Sequence, residues 1–173
     1  MRLINFLLIL CIVGYQAVVC SAAEPPVNDG NIHINADNMS QDLAAEVYSA
    51  EGHVVVRWQG QTLVADRVRY EATTHILHAN GSVVLSKDSA VLTGESLVVN
   101  IDTGRAEIDP GILKAPLSGV ADMAKKPDSA ITIMAEKLIR INETEYSGRT
   151  AEITSCDFPD PFWKLGSSTM NAE

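Results

Sequence analysis

Histidines, repeated acids and one cysteine are the residues of this 173-residue chain that could do chemistry. The four histidines have no repeated acidic or hydroxyl partner along the sequence; they are His33, His53, His75 and His78. His75 and His78 would point to opposite faces of one strand, which makes them a poor pair of metal ligands. These residue types at these spacings therefore predict no enzyme, no metal site and no cofactor.

Three acids recur at a spacing of 29 residues, at Asp37, Asp66 and Glu95. Each follows a small residue, at a point where the apolar pattern bends. A carboxylate in such a place usually caps a turn or faces water, and general acid–base catalysis would need a partner within hydrogen-bond reach. We therefore interpret these acids as structural.

Residues 1–23 have the pattern of an export signal. Arg2 precedes an apolar run at residues 3–19, and Ser21-Ala22-Ala23 offers small residues for cleavage. An uncleaved membrane anchor and a lipoprotein formed through Cys20 are the alternatives. Polar residues interrupt the run, and the residue before Cys20 is a valine, so the sequence favours cleavage.

Cleavage would leave a linker at residues 24–31 and one acidic domain at residues 32–173. Arg2 is the only charged residue removed, so the net charge goes from −9 to 12 − 22 = −10. This charge argues against nucleic acid as a partner and against electrostatic binding to anionic membranes. Cys156 is then the one thiol of the domain. It either stays free or pairs with a cysteine outside this chain.

A 29-residue pattern runs almost three times between Ile32 and Leu113. The copies align without a gap in columns such as Ile34, Leu63, Leu92; Ala36, Ala65, Gly94; and Val54, Val83, Ile112. A fixed period of this length indicates a stacked supersecondary unit, in which each copy buries its apolar face against the next.

Within each copy the hydrophobic period is two, which is typical of half-buried β-strands. Each copy holds a shorter and a longer strand segment joined by turns. Apolar residues change parity inside the shorter segment, so we expect an extra residue there, a β-bulge or bend, to keep both parts on the inner face. The sequence therefore predicts an all-β fold of stacked antiparallel strands with two walls.

The inner face is the candidate binding surface. Twelve residues of the aligned columns should lie on it: Ile34, Met39, Val54, Val56, Leu63, Val68, Tyr70, Val83, Leu85, Leu92, Leu97 and Val99. They could form an ordinary closed core or line a groove. Small residues at repeated inner positions, such as Ala65, Ala79 and Gly94, would leave room for a groove, although they would equally allow close backbone packing.

The pattern breaks between Lys114 and Ser129, where prolines, a glycine and lysines predict a loop. It resumes at residues 131–138, and a second strand is expected at residues 144–153. Phe162 should begin a further strand a few residues before the chain stops. We therefore expect the domain to be truncated at its C-terminal end.

Two motifs resemble one known family. Residues 65–70 (ADRVRY) followed by residues 79–85 (ANGSVVL) are similar to the repeated unit of the organic-solvent-tolerance (OstA-like) domain. LptA, LptC and LptD proteins of lipopolysaccharide transport share this domain. Thr154-Ser155-Cys156-Asp157, followed by Pro159 and Trp163, resembles the end of the periplasmic domain of LptD. The LptD group is therefore the closer match, and the LptA group is second.

The resemblance implies an open β-jellyroll that binds lipopolysaccharide in the periplasm, near the outer membrane. Acyl chains would lie along the twelve inner residues, and neighbouring Lpt proteins would add to the edge strand at residues 32–39 by β-augmentation. Cys156 would pair with a cysteine of an outer-membrane barrel outside this chain. A soluble LptA-like bridge subunit and a scaffold domain with a dry core are the alternatives.

Overall fold

Ten β-strands and their turns make up residues 31–116, 130–142, 144–156 and 161–172, the parts of the chain that this computed structural model describes. The strands are β1 (His33–Asn35), β2 (Asn38–Asp42), β3 (Val47–Trp58), β4 (Gln61–Glu71), β5 (Ile76–Lys87), β6 (Ala90–Asn100), β7 (Ala106–Pro116), β8 (Ala130–Arg140), β9 (Tyr146–Thr154) and β10 (Leu165–Ala172). None of these segments holds a helix long and apolar enough to span a membrane. The predicted export signal and nearly all of the predicted linker lie outside the described residues.

All ten strands belong to one antiparallel sheet. β3 to β10 follow one another in chain order, while β1 and β2 pair with the two ends of β3. The sheet does not close, because β1 and β2 lie at one edge and β10 lies at the other. The predicted all-β, open antiparallel fold is thus confirmed.

Strand bounds recur at an offset of 29 residues in two pairs of strands. β3 spans residues 47–58 and β5 spans residues 76–87, while β4 spans residues 61–71 and β6 spans residues 90–100. β7 begins at residue 106, one residue later than this offset would place it. The offset is present in these four strands, whereas the three-copy repeat stays a prediction.

The register of the sheet shifts near the middle of β3 and β5. On β3 the shift lies between Glu51 and Val54, and on β5 it lies between Asn80 and Val83. Gly52 and Gly81 have φ of +79° there, a conformation that glycine adopts at little steric cost. The prediction of an extra residue on the shorter segments was wrong. The additional residue lies on the longer strands, because these carry the glycines.

One face of this single sheet is buried, although no second layer of described secondary structure covers it. Val54, Leu63 and Val99 are completely buried, and strands of the described part contact only their neighbours in the sheet. The two halves of the strands must therefore face each other across the interior, with the fold line at the register shifts. This arrangement is the two-walled stack.

The strands have two sets of ends. We call the ends joined by the turns at residues 59–60 and 88–89 the upper ends. The lower ends are joined by the turns at residues 43–46, 72–75 and 101–105, and the end of β8 and the start of β9 are also lower ends.

Three strand boundaries differ from the prediction. The first short segment forms β1 and β2 separately, because the chain turns at Asp37, whose N–H donates to the Gly52 carbonyl at 2.9 Å. β9 begins at Tyr146 and β10 begins at Leu165, so Phe162 precedes the last strand. β8 starts at residue 130, close to where the pattern resumes, whereas residues 117–129 of the predicted loop lie outside the described residues.

Candidate functional site

Rows of inward-facing side chains cross the sheet, and three of them run without a break over seven or more strands. Register partners on adjacent strands share a face, so each row can be followed from strand to strand. The upper row is Ile34, Val56, Leu63, Leu85, Leu92, Leu113, Ile133, Ile153 and Leu165. The middle row is Met39, Ala50, Val68, Ala79, Leu97, Ile108, Leu138, Gly148 and Met170. The lower row is Tyr48, Tyr70, Leu77, Val99, Ala106, Arg140 and Tyr146.

Most of the twelve predicted inner residues form the buried core. Nine of them are at most 4% exposed: Val54, Val56, Leu63, Val68, Val83, Leu85, Leu92, Leu97 and Val99. Ile34 and Tyr70 are partly buried and pack against this core. Met39 is 54% exposed, because its strand lies at the edge of the sheet. The structure therefore brings most of these residues together in a packed interior, and which of them contact lipid stays a prediction.

Glycines of the inner face permit close packing and do not leave room. A Cβ on Gly94 would lie 2.2 Å from the carbonyl oxygen of Pro110 and 2.6 Å from Ile108. A Cβ on Gly111 would lie 2.6 Å from Ile108 and 2.8 Å from Leu138 Cβ. At Gly94 the structure therefore favours the close-packing alternative, since neighbouring backbone and Ile108 already occupy the space, and the groove stays a prediction.

The interior opens where the upper and lower ends of the strands approach each other. A cavity of 550 Å³ lies at this opening, and its lining includes Gln61, Lys87, Asp102 and Arg140. A second cavity of 20 Å³ is lined by Leu85, Lys87, Ala90, Leu92, Leu113, Arg140 and Tyr146. Lys87, Ala90, Arg140 and Tyr146 line both cavities, so two cations belong to the lining that the open cavity shares with the leucines of the upper row.

Arg140 links the two sides of the opening. Its Nε donates to the carbonyl of Gly104 at 2.9 Å, and its Nη2 donates to Oε1 of the buried Gln61 at 3.1 Å. Gly104 belongs to a lower turn and Gln61 begins β4 at an upper end. Sequence reasoning missed this residue. The available signal was an arginine two positions after the apolar Leu138, where the period of two predicts another inward side chain.

Three aromatic side chains lie near the ends of β3 and β4 but line neither of these two cavities. Trp58, the register partner of Gln61, is buried, and its indole Nε1 has no hydrogen-bond partner among the described residues. Such an unpaired buried donor is costly unless something accepts its hydrogen bond. Near the lower ends, the rings of Tyr48 and Tyr70 lie 6.3 Å apart. Burial, with a smaller contribution from Asp102, raises the pKa of Tyr70, so its hydroxyl remains neutral at neutral pH.

Two histidines have acidic partners that the sequence did not reveal. His53 Nδ1 lies 2.8 Å from Asp37 Oδ2, and His75 Nδ1 pairs with Asp102. The hydrogen bond and the charge of Asp37 raise the pKa of His53. Both pairs are exposed, and within the described ranges no group of three or more His, Cys, Asp or Glu side chains could hold a metal ion. His53 lies at the bend of β3, and His75 and Asp102 lie in two lower turns, so both pairs fit a structural role.

Cys156 is a free, partly exposed thiol just after β9. Its backbone N–H donates to Thr154 Oγ1 at 3.1 Å, and the buried Thr154 hydroxyl donates to the Trp163 carbonyl at 2.7 Å. Thr154 thereby ties the segment before β10 to the end of β9. The pairing of Cys156 with a barrel cysteine stays a prediction.

Comparison with known proteins identifies relatives in lipopolysaccharide assembly. The chain is 27% identical to the LPS-assembly protein LptD of Bordetella pertussis over 140 residues, which is 81% of this chain and 16% of that protein. It is 27% identical to LptD of Nitrosomonas europaea over 162 residues, or 92% of this chain and 21% of that protein. The chain thus spans between about a sixth and a fifth of the length of these relatives. No protein-family model matches the sequence.

The fold has a counterpart among solved structures. LptH from Pseudomonas aeruginosa, described as the LptA homologous periplasmic component of the lipopolysaccharide transport device, superposes with a TM-score of 0.52 at 16% identity. The match covers 68% of this chain and 80% of that chain. This chain is therefore similar to LptD in sequence and to an LptA homologue in fold, which confirms its resemblance to the OstA-like domains of lipopolysaccharide transport.

Proposed function

We propose that this chain is a periplasmic lipopolysaccharide-binding module that passes lipopolysaccharide toward the outer membrane. The observation that carries the proposal is the upper row, which is apolar at every position from Ile34 on β1 to Leu165 on β10. Acyl chains lying along this row would leave water at a gain of ~0.8 kcal/mol per methylene. The similarity to LPS-assembly proteins supports lipopolysaccharide as the source of these chains.

Lipid has to reach this row from outside, because the central interior is packed. The two edges of the sheet offer one route, since Met39 and Leu165 present inward-facing side chains to solvent there. The opening between the upper and lower strand ends offers another, since its cavity shares lining residues with the small cavity that three leucines of the upper row line. Lipid binding in this proposal therefore includes a separation of the two walls.

Photo-crosslinking tests the proposal. Benzoylphenylalanine in place of Tyr70, at the rim of the interior, should capture lipopolysaccharide, whereas the same probe at the exposed, outward-facing Arg67 on the same strand should not. Probes at Val56, Leu85 and Val99 extend the test into the core. Equal capture at Tyr70 and Arg67, or no capture at any inner position, would contradict lipid binding along this face.

Neighbouring Lpt proteins are the proposed partners, and the free edge beside β1 is the proposed docking strand. The open sheet supports this, because an edge strand can add a partner strand by β-augmentation. Replacing Ile34 by proline should weaken binding to the preceding bridge protein. Unchanged binding of the Ile34→Pro variant would show that the partner docks elsewhere.

Export by residues 1–23 and a disulfide from Cys156 to a barrel cysteine belong to the same proposal. They would place this chain at the periplasmic side of a longer LptD-like protein. A mixed disulfide trapped in such a longer protein, and abolished by Cys156→Ser, would support this position. Absence of the disulfide would favour the soluble LptA-like bridge role.

A scaffold domain with a dry core is the second candidate function, and the complete burial of Val54, Leu63 and Val99 favours it. Native mass spectrometry separates the two. A lipid carrier should retain lipopolysaccharide when the exported domain is mixed with it, while a scaffold should be detected only as the bare protein. Catalysis has no part in either function.

A further inference from the structure

The opening of the interior combines a cation with apolar side chains. Arg140 takes an inward position in the lower row, where its register partner Ala106 is buried and the next residue of the row, Val99, is also buried. The lining of the small cavity beside it includes three leucines of the upper row, Leu85, Leu92 and Leu113. A guanidinium next to a row of leucines matches the two halves of an anionic amphiphile, a charged group joined to an alkyl chain.

Hydrogen-bond donors at the opening strengthen this match. Arg140 is held in place by Gly104 and Gln61, and a guanidinium presents several N–H donors in a planar fork that suits carboxylate and phosphate. Lys87 lines the same two cavities. The guanidinium of Arg140 has five N–H donors and uses two of them on Gly104 and Gln61, so it can offer further N–H groups to one acceptor group.

Acidic residues near the opening lie farther from the apolar row. Asp88 and Asp102 line the large outer cavity but not the small inner one, and Asp102 is paired with His75. The inner end of the opening is thus cationic although the whole chain carries a net charge of −9.

We infer that Arg140 binds the phosphate or carboxylate head group of a lipid whose chain enters the interior through this opening, and so selects anionic over neutral amphiphiles. This inference rests on the proposed lipid-binding function and adds a specificity-determining residue to it. The lipid exchanges its acidic group for Gln61 at the guanidinium, which releases the link between the two sides of the opening. Opening of the interior and recognition of the head group are then one event.

Calorimetric titration of the full chain tests the inference, with dodecyl phosphate and the neutral dodecyl maltoside as probes below their micelle concentrations. The unaltered chain should prefer dodecyl phosphate. Arg140→Gln should weaken dodecyl phosphate binding roughly tenfold, the usual consequence of losing one charged hydrogen bond, and leave dodecyl maltoside binding unchanged. Arg140→Lys should keep much of the preference. Arg149→Gln, which removes an exposed charge from the outer face of β9, should behave like the unaltered chain.

Gln61→Met separates head-group binding from a merely structural role of Arg140. This variant breaks the link to Arg140 but keeps the cation, so the preference for dodecyl phosphate should persist; its loss would overturn the inference. A preference that survives Arg140→Gln would also overturn it, as would inorganic phosphate binding as tightly as dodecyl phosphate. If both amphiphiles bind without preference, only this inference fails, whereas failure of both to bind would overturn the proposed function as well.

Discussion

The inner rows are buried in the central strands and exposed at the edges of the sheet. Leu97 in the middle row is 1% exposed, whereas Met39 in the same row is 54% exposed. Leu85 and Leu165 of the upper row differ in the same way, at 3% and 66%. All four side chains point to one face and differ in whether a strand lies on both sides. Burial is therefore set by position in the stack, and the edges carry an apolar face that a neighbouring strand would cover.

The largest expected effect is on the free energy of unfolding, when a side chain of the middle row is shortened at the centre of the sheet and at its edge. Leu97→Ala should lower the free energy of unfolding by ~2–5 kcal/mol, because it removes buried methyl groups and leaves a cavity. Met39→Ala should change it by less than about 0.5 kcal/mol, as exposed substitutions do. Urea unfolding followed by circular dichroism measures both values. Equal losses at the two positions would contradict the distinction between centre and edge.

A smaller difference is expected between a glycine in a central bend and a glycine in an exposed turn. Gly81 and Gly60 have positive φ of +79° and +74°, so alanine should cost about 1–2 kcal/mol of unfolding free energy at either position. At Gly81 the new Cβ would also lie 2.2 Å from Asp66 Oδ2, while nothing lies within 4 Å at Gly60. Gly81→Ala should therefore be the more destabilising variant.

Adding Asp66→Ala isolates the steric part of that cost. In the background of Asp66→Ala, the cost of Gly81→Ala should fall toward that of Gly60→Ala, because the carboxylate oxygen at 2.2 Å is gone while the Cβ of residue 66 at 2.9 Å remains. An unchanged cost in the double variant would assign the whole effect to backbone conformation.

The smallest expected effect is on the pH dependence of stability, and it concerns the bend of β3 near the edge of the sheet. This bend has His53 where the central bend of β5 has Ser82. Asp37 raises the pKa of His53 by hydrogen bonding and by its charge, so the protonated histidine is favoured in the folded state. Its stabilising contribution is present below the ordinary histidine pKa and is lost as the pH rises through the raised value. Asp37→Asn should return the pKa to its ordinary range, as measured by NMR titration of the ring.

His53→Ser provides the matched control for this titration. It makes the edge bend resemble the central one, so its pH dependence of stability should lack the His53 contribution. A His53 pKa that does not fall in Asp37→Asn would show that the contact with Asp37 is not kept in solution.

The positions of the strands, and which of their side chains point inward, could be predicted from the alternation of apolar and polar residues over a few positions. A period of two is visible within a few residues, and it indicated the strands from β3 to β9 and the inward orientation of residues such as Val56 and Leu97. The position of the extra residue was missed, because it depends on which strand of a pair has a glycine able to adopt positive φ. Gly52 and Gly81 can adopt positive φ, so the extra residues lie on β3 and β5. The change of apolar parity in the shorter strands is a consequence of these bends and does not show which strand has the extra residue.

Contacts between distant parts of the chain could not be predicted. Asp37 and His53 are 16 residues apart, His75 and Asp102 are 27 apart, and Gln61 and Arg140 are 79 apart. None of these pairs has a spacing that marks it in the sequence. They meet because the sheet folds over itself and brings separate turns or strand ends together.

By itself, the sequence determined that the chain forms half-buried antiparallel strands with one apolar face, because alternation is a local property of the chain. It also carried the motifs that relate the chain to lipopolysaccharide transport. Only the tertiary structure decided that the apolar face is packed at its centre, exposed at its edges and bounded by Arg140 at its opening. These features depend on how the two walls meet, and that requires every strand to be in place.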